Sequence, residues 1–147
     1  MKKANQDLRI ISRTFKYKAK KRLLQPYKYH CGTWDEMNNL CHEAGGQLAK
    51  VDTDNFMYYL IQYIIENGLD HHHYWIGASD SEVEDDYRWL DGSKVKRGTP
   101  FWGYYNDEQQ PTSGTDLNCV YMSHTNFFYF YNYDCEGSFP AICEQVN

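Results

Sequence analysis

No stretch of this chain reaches the length of a membrane-spanning helix, and residues 1–7 lead into no apolar run of the kind a secretory signal needs. It has no Cys-x-x-Cys pair and no Cys/His cluster with zinc spacing, which argues against a structural zinc module. A Gly-x-Ser-x-Gly elbow, a His-Glu-x-x-His helix and a phosphate-binding glycine loop are all missing, as are internal repeats and low-complexity tracts. Paired carboxylates are plentiful, but they fall in loops without a matching general-acid setting, so the chain reads as a non-enzyme. Basic residues are scarce beyond residue 28. Residues 1–28 carry ten of the 15 Lys and Arg and a single acid, Asp7; residues 29–147 are left with five bases and 19 acids, a net of −14. An acidic body of this kind repels phosphates and argues against nucleic acid as the ligand. It suits calcium or basic partners, and it also keeps a protein soluble.

What the chain does have is cysteine and aromatic side chains. Cys41, Cys119, Cys135 and Cys143 are spaced like a disulfide framework, which points to an oxidising compartment and a secreted or cell-surface protein. With no signal visible, the chain is read as a mature form from which one has been removed. Four cysteines allow three pairings, and spacing alone does not choose among them. Cys31 is the odd one, expected to be exposed and available for an interchain bridge in a homodimer, or free as a thiol. Aromatics make up 17% of the residues, including 14 Tyr, so some are expected on a binding surface rather than in the core.

Residues 1–26 read as a basic N-terminal arm, either a short helix or a disordered tail, with Pro26 at its boundary. Contact with polyanions such as sulfated polysaccharide is its expected role. Tyr27-Lys28-Tyr29 reads as a first strand. Thr33-Trp34-Asp35-Glu36 is a capping box, and Trp34, Met37, Leu40, Cys41 and Ala44 follow at helical spacing until Gly45-Gly46. Leu48–Val51 is a short strand. Asp52 or Thr53 caps a second helix with Phe56, Leu60, Tyr63 and Ile64 facing inward and Gly68 at its end. His71-His72-His73 resembles a metal tract, but consecutive residues do not converge on one ion, so an exposed loop is expected. Tyr74–Gly77 is a buried strand, residues 79–118 are loop-rich, and Cys119–Met122, Phe127–Phe130 and Ala141–Cys143 complete an antiparallel set. The class is α+β: two helices packed on antiparallel sheets with a long binding loop.

In order, Trp34, Cys41, Gly45-Gly46-Gln47-Leu48-Ala49, Tyr74-Trp75-Ile76-Gly77-Ala78-Ser79-Asp80, Arg88-Trp89-Leu90-Asp91-Gly92, Phe101-Trp102, Cys119-Val120, Cys135 and Ala141-Ile142-Cys143-Glu144 resemble a C-type lectin-like domain over residues 27–147. The Trp-Ile-Gly-Ala-Ser-Asp stretch is similar to secreted invertebrate lectins of the perlucin-like kind. The resemblance implies the C-type lectin-like fold and two disulfides, Cys41–Cys143 and Cys119–Cys135. It also implies a calcium ion in the long loop that coordinates sugar hydroxyls. Calcium takes six to eight oxygens, so such a loop must gather carboxylates, amides and carbonyls.

In the family a Glu-Pro-Asn or Gln-Pro-Asp triplet with a cis proline supplies part of that set. Here its counterpart is Gln110-Pro111-Thr112, whose first two residues match the galactose-type version while Thr112 departs from it. The acid before the third core cysteine is displaced to Asp116, and the Trp-Asn-Asp pattern before Cys135 has become Phe130-Tyr131-Asn132, followed by Tyr133-Asp134. The sugar and calcium candidates are therefore Gln110, Thr112, Asp116, Asn132 and Asp134, with Asn106, Asp107 and Glu108 as extra loop oxygens. Asp80 and Glu84, with Asp85 and Asp86 beside them, match a second, structural calcium site, whose remaining family acid is Ser113 here. Three functions follow: a secreted, calcium-dependent galactose-type lectin reading microbial or self glycans; a lectin-like domain that has lost sugar binding and recognises protein; and an extracellular or mineral matrix protein.

Overall fold

Local signals fix the two helices. Thr33 Oγ1 accepts the Glu36 amide at 3.2 Å while Glu36 Oε1 accepts the Thr33 amide at 3.0 Å, the reciprocal capping box read from the sequence. Helix α1, Trp34–Glu43, follows and buries Trp34, Met37 and Cys41. Strand β2, Gly46–Leu48, comes next, and Thr53 then caps helix α2, Asp54–Glu66, which buries Phe56, Met57, Leu60, Tyr63 and Ile64. The computed structural model describes residues 9–11, 31–97 and 101–145. The expected strand at Tyr27–Tyr29 and most of the basic arm lie outside these residues. Within the arm, Arg9–Ile11 is neither helix nor tail but a strand, β1.

The remaining strands are β3 (Tyr74–Ser79), β4 (Arg88–Trp89), β5 (Tyr104–Tyr105), β6 (Glu108–Gln109), β7 (Cys119–Met122), β8 (Phe130–Tyr133) and β9 (Ile142–Gln145). They form a sheet of order β1-β9-β2, a sheet of order β4-β3-β7-β8, and the β5-β6 hairpin. β1 runs parallel to β9; β2 runs antiparallel to it. Gly77 lets the sheets meet: a Cβ there would lie 2.6 Å from the Leu48 carbonyl oxygen, whereas the bare backbone donates to Ala49 O at 2.8 Å. The expected strand at Leu48–Val51 is displaced to Gly46–Leu48 because β2 takes its register from Gln145 through Cys143 on β9.

The larger core packs α2 against β3, β7 and β8, with Ile76, Trp102, Val120 and Phe130 inside; a smaller cluster gathers Trp34, Met37, Leu48 and Trp75 around the cysteines. The disulfides are Cys41–Cys143, tying α1 to β9, and Cys119–Cys135, closing the base of the long loop. Cys31 is a free, exposed thiol.

Two further sequence readings need correction. Phe127–Tyr129 is not strand. Ser123 O accepts the amides of Asn126 and Phe128, and Ser123 N donates to Tyr129 O, so the chain turns there with Phe127 and Phe128 at φ near 60°. Phe127 projects into solvent at 80% exposure, while Phe128, Phe130 and Tyr131 are buried. The histidine tract is not uniformly an exposed loop either. His71 is exposed, but the His73 ring is half-buried, packs against Tyr121, His124 and Phe139, and accepts the His124 amide on Nδ1 at 3.2 Å. Desolvation, and then repulsion from His124 and His72, lowers its pKa to about 4.

Candidate functional site

The loop-rich segment between β3 and β8 holds two groups of polar side chains, and the sheet holds them from both ends. The first begins where β3 stops. The Asp80 amide donates to Asn118 O at 3.0 Å, anchoring the chain to the approach to β7. Asp80 is only 2% exposed. Its Oδ2 accepts the Asp85 amide at 2.7 Å, and its Oδ1 is buried without any hydrogen-bond partner. Asp85 closes this turn at φ 68°. Glu84 folds back so that ligand oxygens of Asp80, Glu84 and Asp85 lie within 4.8 Å of one another. Among the described residues this is the one group of three or more His, Cys, Asp or Glu side chains that converges in this way.

Burial raises the Asp80 carboxyl pKa, with the Asp85 charge adding to the shift and the Asp85 amide opposing it. Glu84 is also raised, by desolvation and then by the charges of Asp80 and Asp85, against a hydrogen bond from the Gly114 amide. Three carboxylates crowded together, one with an unsatisfied buried oxygen, fit a hard divalent cation, with water completing its shell. Asp80 and Glu84 are thus brought together as the spacing predicts, and Asp85 joins them. Asp86 turns away to Arg88 at 3.0 Å and Lys94 at 3.1 Å, which lower its pKa.

The second group is the long loop itself. The Gln110-Pro111 peptide is cis. Gln110 and Asn132 are both buried, and their amides are spent on the protein. Gln110 Oε1 accepts the Asn132 amide at 3.3 Å, and Gln110 Nε2 donates to Thr112 Oγ1 at 2.8 Å. Asn132 Oδ1 accepts the Thr112 amide at 3.1 Å. Asn132 Nδ2 faces Thr112 O at 2.6 Å, the Tyr87 hydroxyl at 3.0 Å and Leu117 O at 3.1 Å. Tyr87 in turn donates its hydroxyl to Leu117 O at 2.7 Å.

The structure therefore knits Gln110, Thr112 and Asn132 to one another. Asp116 and Asp134 stay outside this knot: both are exposed, and Asp134 Oδ1 caps the Glu136 amide at 2.9 Å. Asn106, Asp107 and Glu108 sit exposed in the β5-β6 hairpin. C-type lectin domains typically bind calcium. The buried, internally satisfied amides here do not offer the free oxygens such an ion needs, so the fit is good at Asp80 and poor at the loop. Sequence reading missed Tyr87 altogether. Its phenol is distinguishable from a core phenylalanine only by what faces it, which spacing does not reveal.

Exposed rings flank the knot. Tyr104 and Tyr105 stand out from the hairpin, held by Tyr131, whose hydroxyl donates to Tyr104 O at 2.7 Å. Tyr133 is exposed at the end of β8.

Helices on two short sheets, two disulfides and a long loop with a cis proline define a C-type lectin-like domain. The family model for the lectin C-type domain matches residues 31–145, and the chain belongs to that family. It is 26% identical over 147 residues to mouse C-type lectin domain family 4 member F, an alignment covering 98% of this chain and 25% of that protein. The chain thus spans a quarter of that relative's length. Among solved structures, human lithostathine matches with TM-score 0.66 and 27% identity, covering 80% of this chain and 78% of that one. A calcium-independent type II antifreeze protein matches with TM-score 0.58 and 22% identity, covering 77% and 78%. The family is generally one of binding proteins rather than enzymes. Among the described residues, no helix is long and apolar enough to cross a membrane.

Proposed function

We propose that this chain is a secreted recognition domain that holds a divalent cation at Asp80, Glu84 and Asp85 and meets a protein ligand directly with the side chains around its long loop. The observation that carries this reading is the knot of Gln110, Thr112 and Asn132, whose amides are buried and satisfied by the protein. A calcium ion bridging to sugar hydroxyls there would have to break that knot and expose its members, at a cost of about 1–3 kcal/mol for each polar group left without a partner. The fold makes no such demand, since a calcium-independent type II antifreeze protein shares it. Exposed Tyr104, Tyr105 and Tyr133 supply the large amphipathic contacts that dominate protein interfaces. The two disulfides support an oxidising, extracellular setting.

The calcium-dependent, galactose-type mode implied by Gln110-Pro111 makes the opposite demand, and affinity chromatography separates the two. On galactose-agarose in millimolar calcium the protein is expected to pass unretained. Retention that EDTA and free galactose both release would overturn the proposal and restore the sugar-bridging calcium.

A further inference from the structure

Bases are few in the body of this chain, but they are not scattered. Residues 29–147 hold five, Lys50, Arg88, Lys94, Lys96 and Arg97, and three of them, Lys50, Lys94 and Lys96, line one cavity of about 360 Å³. The cavity lies between the start of α2 and the segment after β4, and none of Asp80, Glu84, Gln110, Thr112 or Asn132 lines it. Its floor is apolar: Trp89, Val95, Phe101 and Phe130 are all buried. The Phe101 and Phe130 rings stack at 5.6 Å with 14° between their planes, and Trp89 meets Phe130 edge to face at 6.0 Å. The backbone at the rim is fixed as well. Val95 N donates to Tyr87 O at 3.0 Å, and Lys96 O accepts Trp102 Nε1 at 2.7 Å. A wall already held in this way has little ordering left to lose on binding.

The rim is positive. Among the described residues lining the cavity, Asp52 is the one acid. It lies 3.6 Å from Lys50, whose closer partner is Asp91 at 2.6 Å. Lys94 is drawn toward Asp86 at 3.1 Å. Lys96 is exposed and, among the described residues, has no acid within ion-pair distance. Small-molecule sites typically combine roughly 300–1,000 Å³ of mostly apolar wall with a few placed polar groups, and this cavity has both parts.

We propose that the cavity is a second binding site, for a small amphipathic anion: a sulfonate, sulfate or carboxylate carried on a flat apolar body. The charge meets Lys96 and Lys94, and the body lies on the floor of Trp89, Phe101 and Phe130. A bare anion lacks the body and a neutral ring lacks the charge, so each binds more weakly than the two joined. The acidic character of residues 29–147 works against indiscriminate capture of anions, so retention here depends on the local lysines.

Calorimetric titration of the whole chain with naphthalene-1-sulfonate tests this, with amide chemical-shift mapping to locate the probe. One probe should bind per chain, with Val95 and Lys96 among the amides that move most, and affinity should fall as ionic strength rises. Lys96→Glu replaces attraction with repulsion and should weaken binding by about tenfold, with Lys96→Gln intermediate. Because Lys96 is exposed, both variants should keep the Tm of the unaltered protein. Neutral naphthalene-1-methanol should bind about tenfold more weakly than the sulfonate. Equal affinity for the neutral and charged probes, or unchanged affinity in Lys96→Glu, would overturn the proposal. So would shifts centred on Tyr104, Tyr105 and Tyr133, or the absence of binding at millimolar probe.

Discussion

Replacing Cys41 with serine should be the most damaging single change in this chain. Cys41 and Cys143 are 102 residues apart, and in the chain-entropy account a crosslink closing a loop of about that length removes enough freedom from the unfolded chain to stabilise the fold by about 4–5 kcal/mol. A second effect adds to the first. Cys41 is fully buried beside Trp34, Met37, Leu48 and Trp75, so the serine hydroxyl would enter an apolar cluster. Small domains have only about 5–15 kcal/mol of net stability, so a fall of about 10–20 °C in Tm or outright failure to fold is expected. The other bridge spans 16 residues and should be worth about 3 kcal/mol, with its loss felt at the loop base. Thermal unfolding followed by circular dichroism on Cys41→Ser and Cys119→Ser compares the two. A Cys41→Ser protein no less stable than Cys119→Ser would show that the link between α1 and β9 does not hold the domain together.

Asn132→Ala is expected to have the next largest effect, and a more local one. The change strips Thr112 N of its acceptor and removes the donor that Thr112 O, Leu117 O and the Tyr87 hydroxyl share. Leaving buried polar groups unpaired costs about 1–3 kcal/mol each, so a total of about 2–4 kcal/mol follows once the loop relaxes toward water. Because that loss falls on the segment after Pro111, hydrogen exchange at Thr112 should accelerate by at least about a hundredfold while amides of β3 and β7 keep their protection. Gln110 should stay in place, since its Oε1 accepts the backbone N–H of residue 132, which alanine keeps. Equal protection of Thr112 in the two proteins would mean that Asn132 does not hold the loop.

How much of this was readable beforehand depended on the range of the interaction. The capping box at Thr33 and Glu36 and the cap at Thr53 are local, so three or four neighbouring residues specify them, and both helices are found where the spacing puts them. The disulfide pairing was readable through the family resemblance and not through spacing, which leaves three pairings open. The aromatic run after Met122 misled for a physical reason. Phe127 and Phe128 have strong strand propensity, but Ser123 captures the amides of Asn126 and Phe128, and that hydrogen-bonded turn outweighs propensity. The acidic site was half legible. Asp80 and Glu84 show at their spacing, but the diversion of Asp86 to Arg88 and Lys94 does not. The loop knot was least legible of all, because Asn132 meets Tyr87 across 45 residues and Thr112 across 20, and nothing in either neighbourhood announces the other.

Crystals grown without calcium and soaked in terbium, a calcium substitute with strong anomalous scattering, give the most direct view of where a cation goes. The anomalous map should show one peak, bounded by Asp80, Glu84 and Asp85, with the side chains of Gln110, Thr112 and Asn132 still bonded to one another. A peak among Gln110, Asp116, Asn132 and Asp134, with those amides swung out to meet the ion, would contradict the account.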